Sequence, residues 1–500
     1  MHPVDALVLV AYLAGVVAFG FAVGRSHRTV QDYFVSGHRL PAWAILGSIV
    51  ATETSTVTFV SIPGVAFAGN YTFLQLVFGY LLGRVAVSVL LLPGFFRGEI
   101  LTVYQLLGDR FGGATRRLAS AVFLATRTLA DGFRLFATAL VLAALLESAG
   151  WLGGRTTDLL MVSIVAISVL TLVYTYAGGM TAVVWTDVVQ LSVYLVGAIA
   201  AAVVLLQAIP GGWPGVVAVA EPLGKFQVLD FTWDVTRSYT FWSGVIGGMF
   251  LTTATHGTDQ MLVQRYLCAR SVGDARKALL ASGVVVLAQF ALFLAIGTML
   301  FVFYTGVAPA EMAAFTVNGQ VATDRVFPHF IANHLPVGLV GLVLAAILAA
   351  AMSTLSSSLN SSAAAAMGDF WLPWRGTTTT AAEQLSRSRR LTIVFAVLQT
   401  GAALAAIELS RRVVDEVLAL AAFTSGLILG LFLLGTLTTR VRERSALAGA
   451  AAGTGLILAV KLGTAVSWQW YVLVGAAATF GTGVLASRWL DHEPHSPASA

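Results

Sequence analysis

Residues 352–362 read MSTLSSSLNSS and follow directly on an apolar run, GLVGLVLAAILAAA. On a helix, Ser353, Ser356, Ser357 and Asn360 fall at i, i+3, i+4 and i+7 and share one face, while Thr354, Ser358 and Ser361 line the adjacent one. Small hydroxyl residues serve two ends in an apolar helix. They let a second helix pack closely, each hydrogen bond contributing roughly 0.6 kcal/mol. Alternatively, they offer neutral oxygens to a hard cation such as sodium, which takes several such ligands. The stretch by itself leaves both readings open.

A second set of residues is ionisable and lies inside apolar runs: Glu53, Arg84, Arg127, Asp131, Arg134, Asp187, His256 and Asp259. Charge is costly there and faces a cavity or a partner. Asp131 and Arg134 stand three apart on one helix face and can neutralise each other. Arg84 and Arg127 are candidates for buried pairs, and Glu53 has no local partner. Glu53 belongs to SIVATETSTVTFVSIPGVAF, polar and β-branched in its middle, with Pro63-Gly64 beyond. This suits either a proline kink or a helix broken part-way across a membrane. Free carbonyls at that depth need protein or a water-filled cavity to receive them, and broken helices are where transporters bind ions.

Asp187, in YAGGMTAVVWTDVVQ, follows a glycine turn. It suits an acid at a helix amino terminus or a carboxylate completing a cation site. In TTATHGTDQMLVQRYL, Thr258, Asp259 and Gln260 stand mid-span, and Arg265 is expected as a positive anchor at the cytoplasmic end.

The elements that must position these groups are membrane helices. Hydrophobic residues make up 57% of the 500-residue chain and charged ones 11%, with a mean hydropathy of +0.84. A soluble domain needs about a quarter of its residues charged. Apolar runs long enough for a bilayer recur about thirteen times. They cover 4–24, 42–69, 71–95, 115–149, 156–179, 181–208, 239–264, 276–305, 335–368, 389–410, 411–437, 444–462 and 468–487. Runs of this strength exclude an outer-membrane barrel. The first has no basic leader or cleavage site and is expected to be retained.

Most of the 29 lysines and arginines fall in alternate loops, which places the amino terminus outside and the tail, 488–500, in the cytoplasm. The net charge of +5 is thus loop topology and no nucleic-acid footprint. None of the three lysines sits in a phosphate-binding loop, and no metalloprotease or serine-hydrolase motif occurs, which excludes an ATP-driven pump or a membrane hydrolase. Cys268, the single cysteine, allows no internal disulfide.

Taken in order, DYFVSGHRLP (32–41), the segment 48–67, LPGFFRGEILTVYQLLGDRFG (92–112), YAGGMTAVVWTDVVQ (176–190), GTDQMLVQRYL (257–267) and AAAMSTLSSSLNS (349–361) resemble the sodium/solute symporter family. That family includes sodium–glucose, sodium–proline and sodium–sialic acid cotransporters. The resemblance implies an all-α integral membrane protein with a LeuT-like core of two inverted five-helix repeats. These would occupy 42–208 and 239–437, each opening with a broken helix, in a single transport domain. Residues 1–41 would add one helix before the core and 438–487 two after it.

By motif match, the family's main sodium site falls on the carbonyls of Ala51, Thr54 and Ala350 and the hydroxyls of Ser353 and Thr354. A second sodium site, as in members similar to the sialic acid transporters, falls on Asp187, Ser353, Ser356 and Ser357. Glu53, Thr58, Arg84, His256, Asp259 and Gln260 are the expected solute contacts. The sugar-binding pattern does not carry over, because Glu53 and His256 stand where glucose-type members have asparagine and an aromatic. The implied function is sodium-coupled symport of a small polar organic solute into the cell across an inner or plasma membrane, with two sodium ions. No cofactor, nucleic acid or obligate protein partner is implied. A proton-coupled symporter of the same fold, a passive channel and a non-transporting solute sensor are the alternatives.

Overall fold

The computed structural model describes residues 2–24, 27–148, 156–317, 319–376, 379–409 and 411–491, and these are almost wholly helical. In chain order come α1 (Pro3–Val23), α2 (Val30–Val35), α3 (Ala42–Glu53), α4 (Thr56–Ala68), α5 (Leu74–Leu90), α6 (Leu92–Phe95) and α7 (Gln105–Arg110). Next are α8 (Gly113–Ser148), α9 (Thr156–Ala208), α10 (Gly212–Ala220), α11 (Phe241–Thr258), α12 (Gln260–Leu267) and α13 (Val272–Val302). The remainder are α14 (Thr323–His334), α15 (Leu339–Ala365), α16 (Leu372–Arg375), α17 (Ala381–Ala405), α18 (Arg411–Leu437), α19 (Glu443–Gly463) and α20 (Tyr471–Leu490). A two-residue hairpin, Thr316–Val317 against Gln320–Val321, precedes α14.

Among the described residues, seven helices are long and apolar enough to cross a membrane, or eight if α3 and α4 form one bent span. Helix bounds follow the predicted runs closely at α1, α8 and α18, whereas α17 starts at Ala381, ahead of the predicted 389. The cytoplasmic tail was expected from 488, but α20 continues to Leu490. Residues 492–500 of that tail lie outside the described residues.

Three breaks interrupt the long helices. Thr54 and Ser55 are extended between α3 and α4, and the two halves meet at 62°. Ser55 then caps α4, its hydroxyl accepting from the Thr58 N–H at 3.4 Å. Asp259 is extended between α11 and α12 and caps the second half, its carboxylate accepting from the Met261 N–H at 2.9 Å. The run predicted over 239–264 is thus broken, as the resemblance implied for the opening of the second repeat, and it continues to Leu267.

The third break is in α9. Its 53 residues would extend about 80 Å as one rod. Gly179 turns the chain, with φ +49° and ψ −150°. A Cβ there would lie 2.4 Å from the Tyr33 carbonyl oxygen, so glycine alone suits the position.

The core centres on α15, which is buried throughout Met352–Ala365 and packs against α9, α8, α1 and α17. The second half of the first broken helix, α4, packs on α13 and α14. Gly297 of α13 permits that crossing, since a Cβ there would sit 2.0 Å from the Pro63 carbonyl oxygen. Pro63 also lacks the N–H that would close the helical bond below it.

Candidate functional site

The first broken helix and the hydroxyl stripe of α15 face each other. Ala51, Thr54, Ala350 and Ser353 line one small cavity with Gln190, Leu191 and Tyr194 of α9. Thr354 lies on an adjoining wall, where it lines a second cavity with Ser55 and Thr56. The α3 ladder ends with the Thr54 N–H donating to the Val50 carbonyl at 3.1 Å. The carbonyls of Ala51 and beyond are thus among those a helix end leaves without ladder partners. Gln289 of α13 braces the break by donating to Thr54 Oγ1 at 2.7 Å and to the Tyr194 hydroxyl at 3.1 Å. Thr354 Oγ1 donates to the Ala350 carbonyl at 3.2 Å. Uncharged carbonyl and hydroxyl oxygens form a donor set suited to a hard monovalent cation.

One turn further along α15 the chemistry changes, because a carboxylate enters. Asp187 is fully buried on α9. Ser353 donates to its Oδ1 at 2.6 Å, and the Ser48 hydroxyl donates to its Oδ2. Ser356 and Ser357 donate to the Ser353 carbonyl at 3.1 and 2.6 Å. Ser353, Ser357 and Asp187 therefore meet around an arginine, while Ser356 bonds back to its own helix. Arg265 Nη2 lies 3.0 Å from Asp187 Oδ2 and also donates to Ser357.

One expectation is corrected here, and one of the two readings of Asp187 falls away. Arg265 is not an anchor at the membrane surface, for its side chain is completely buried. The helix restarts at Gln260 and runs on to Leu267, and Leu40 then donates its N–H to the Cys268 carbonyl at 3.0 Å. That edge contact seals the helix end and keeps Arg265 in the interior. Asp187 is likewise no amino-terminal acid. The chain turns at Gly179, two turns earlier, and the helix macrodipole fades within the first turn.

The expected solute contacts divide among four places. Glu53 pairs with Arg84 of α5 and with His256 of α11, its Oε1 lying 2.7 Å from Nε2. His256 Nδ1 bonds the Tyr266 hydroxyl, and Arg84 Nε donates to Ser282 at 3.2 Å. Arg84 and His256 have no exposed surface, so this cluster joins α3, α5, α11, α12 and α13. Asp259 pairs instead with Arg127 of α8. Arg127 also reaches Asp131 at 3.4 Å, and Arg134 meets the other oxygen of Asp131 at 2.8 Å. The predicted Asp131–Arg134 pair is present, but two arginines share its acid.

Gln260 holds the segment between α6 and α7. Its Oε1 accepts from the Val103 N–H at 2.8 Å, and its Nε2 donates to the Leu101 carbonyl at 3.0 Å. Thr58 lies on the first turn of α4 beside Ser55, with 3.3 Å between their hydroxyls.

Arg134, which was not among the expected solute contacts, also faces a cavity. Its side chain is 35% exposed, against 13% for Arg127. It lines the cavity shared by Ser55, Thr56, Thr138 and Thr354. The sequence shows only its i, i+3 spacing from Asp131. Arg127, seven positions earlier on the same helix, shares Asp131 with it.

Residues 33–453 match the family model of the sodium:solute symporter family. The chain belongs to that family. Among similar proteins, the sodium/sialic acid symporter NanT of Aliivibrio fischeri is 30% identical over 98% of this chain and 94% of its own length. The human sodium/iodide cotransporter is also 30% identical, over 89% of this chain and 67% of its own. A solved structure of a substrate-bound, outward-open, Na+-coupled sialic acid symporter superposes with a TM-score of 0.87 at 27% identity, covering 97% of this chain and 98% of that one.

The symporter is therefore a multi-pass membrane protein of LeuT-like fold, with sodium as the co-transported ion and solute movement, not enzymatic catalysis, as its activity. Relatives of equal identity are named for sialic acid and for iodide, so overall similarity does not select the solute.

Proposed function

We propose that this symporter moves a small organic solute bearing a carboxylate into the cell, driven by sodium bound between the first broken helix and α15. The observation that carries the reading is the shared cavity of Ala51, Thr54, Ala350 and Ser353, next to one lined by Thr354 and Arg134. An ion that bridges the break to α15 favours the conformation in which both are in place. By linkage it can shift only the state it binds more tightly. The guanidinium of Arg134 suits a carboxylate, which it can hold through two parallel hydrogen bonds. The similarity to sialic acid symporters supports an organic acid.

The membrane arrangement in this proposal has about thirteen crossings, each near the roughly 30 Å hydrocarbon thickness. The amino terminus is outside and the carboxyl terminus cytoplasmic. Residues 42–208 and 239–437 form inverted repeats, a division supported by breaks at Thr54–Ser55 and at Asp259. Glu53, Arg84, His256 and Asp259 then act as interior ion pairs that hold the repeats in register, with Thr58 and Gln260 supporting the breaks.

Two ions are proposed, the second at Asp187, Ser353, Ser356 and Ser357, with Arg265 withdrawing as it binds. One observation favours a single ion instead: Arg265 already supplies positive charge 3.0 Å from Asp187.

The experiment is a thermal-stability screen of the purified protein against carboxylates, sugars, amino acids and nucleosides, each in sodium and in choline chloride. A ligand at 100 times its dissociation constant stabilises by about 2.7 kcal/mol. An organic acid that stabilises only with sodium is the expected result. Stabilisation by neutral sugars alone would refute the carboxylate assignment, and equal shifts in both salts would refute sodium coupling.

A further inference from the structure

A short helical turn at Pro309–Phe315 carries Glu311 against the end of α14. Glu311 Oε2 lies 2.7 Å from His334 Nε2 and 3.8 Å from His329 Nδ1. One donor atom from each of the three residues lies within 4.8 Å of the others. Bonds of about 2.0–2.2 Å from zinc to nitrogen and oxygen put neighbouring donors of a tetrahedral ion roughly 3.3 Å apart. The observed separations lie on either side of that value.

The site is also braced. Phe303 meets the His334 ring edge-on at 4.8 Å and Phe330 stacks on it at 5.4 Å. Phe315 packs edge-on against His329 at 5.3 Å, and the Tyr304 hydroxyl lies 2.8 Å from His329 Nδ1. All three donor residues keep partial exposure, from 19% at His329 to 37% at Glu311. An ion can therefore enter and keep an open coordination position for water.

We propose that Glu311, His329 and His334 form a binding site for a zinc-class divalent ion that clasps the Pro309–Phe315 turn onto α14. Two imidazoles and one carboxylate select zinc over magnesium or calcium, which prefer all-oxygen shells. The ion takes the place of the Tyr304 hydroxyl at His329 and turns a single histidine–carboxylate contact into a three-point clasp. α14 in turn bears on the second half of the broken helix, where Phe327 packs against Phe59 at 5.3 Å. Zinc thus stabilises the arrangement in which this turn is seated. None of this depends on which solute is carried.

The test is zinc chloride titration of the EDTA-stripped, full-length protein in detergent, by calorimetry, in a His492→Ala/His495→Ala background that removes the tail imidazoles. One zinc per chain is expected, with affinity falling more than about tenfold in His329→Ala and in His334→Ala. His2→Ala should change nothing, and magnesium should give no heat. Glu311→Gln, which keeps a hydrogen-bond acceptor beside His334, should weaken zinc without altering the elution profile. Cobalt(II) at the site should show the intense visible absorption of a four-coordinate ion. No binding overturns the proposal, as does affinity that survives both histidine variants or is lost with the tail histidines alone.

Discussion

Removing the guanidinium of Arg265 is the sharpest perturbation the structure suggests. Asp187 is completely buried and receives the Ser48 and Ser353 hydroxyls along with Arg265. In Arg265→Met the hydroxyls remain, but the carboxylate loses its only arginine partner. Breaking a buried pair in this way costs about 3–5 kcal/mol.

That deficit should be largely restored by sodium if Asp187 belongs to a cation site. The ion supplies the missing charge among oxygens already in place. A second occupied site at 100 times its dissociation constant adds about 2.7 kcal/mol. Equilibrium unfolding in mixed detergent micelles, in sodium and in choline chloride, reads this directly. Arg265→Met should be the weaker protein in choline, and its gain from sodium should exceed the wild-type gain by roughly that 2.7 kcal/mol. Asp187→Asn/Arg265→Met should lose the extra gain while recovering most of the stability, because neither charge is stranded. Equal sodium gains in wild type and Arg265→Met would refute the reasoning, leaving Asp187 a structural partner of Arg265 and nothing more.

The main ion site is checked by Thr354→Ala. It should raise the sodium concentration for half-maximal stabilisation about tenfold, equivalent to roughly 1.4 kcal/mol, and an unchanged midpoint would remove Thr354 from the site. Glu53→Gln should destabilise by about 3–5 kcal/mol, because Arg84 stays buried without its carboxylate. Adding Arg84→Met should recover most of that loss in the same unfolding assay, and strictly additive losses would contradict the pairing. Gly179→Ala should cost at least about 1–3 kcal/mol through its backbone conformation alone. Normal thermal stability in that variant would show that α9 is not turned there as described.

The membrane class and several helix bounds were legible because they depend on local order, and the broken first helix was implied by the family resemblance. Apolar runs of bilayer length mark themselves in any environment, whereas the polar, β-branched stretch around Glu53 suited a proline kink as well as a break. The hydroxyl stripe of α15 was legible for the same reason, since i, i+3, i+4 and i+7 name a face whatever it meets. The convergence of Ser353 with Asp187 was indicated by motif resemblance, 166 positions apart, and no spacing rule could supply it.

What only the tertiary structure decided was the pairing of charges. Glu53 had no partner within reach along its helix, and it found Arg84 and His256 across two others. Arg265 carried the signature of a loop-end charge. It became an interior cation because the helix restarts at Gln260 and the Leu40 edge contact covers its end. His329 and His334 stand five apart, which on an ideal helix does not place them on one face. They meet Glu311 only because the turn at Pro309–Phe315 folds back on the end of α14. Hydrophobic periodicity is written residue by residue and survives without context. A buried charge is stable only beside its complement, and which complement arrives depends on how all the helices pack together.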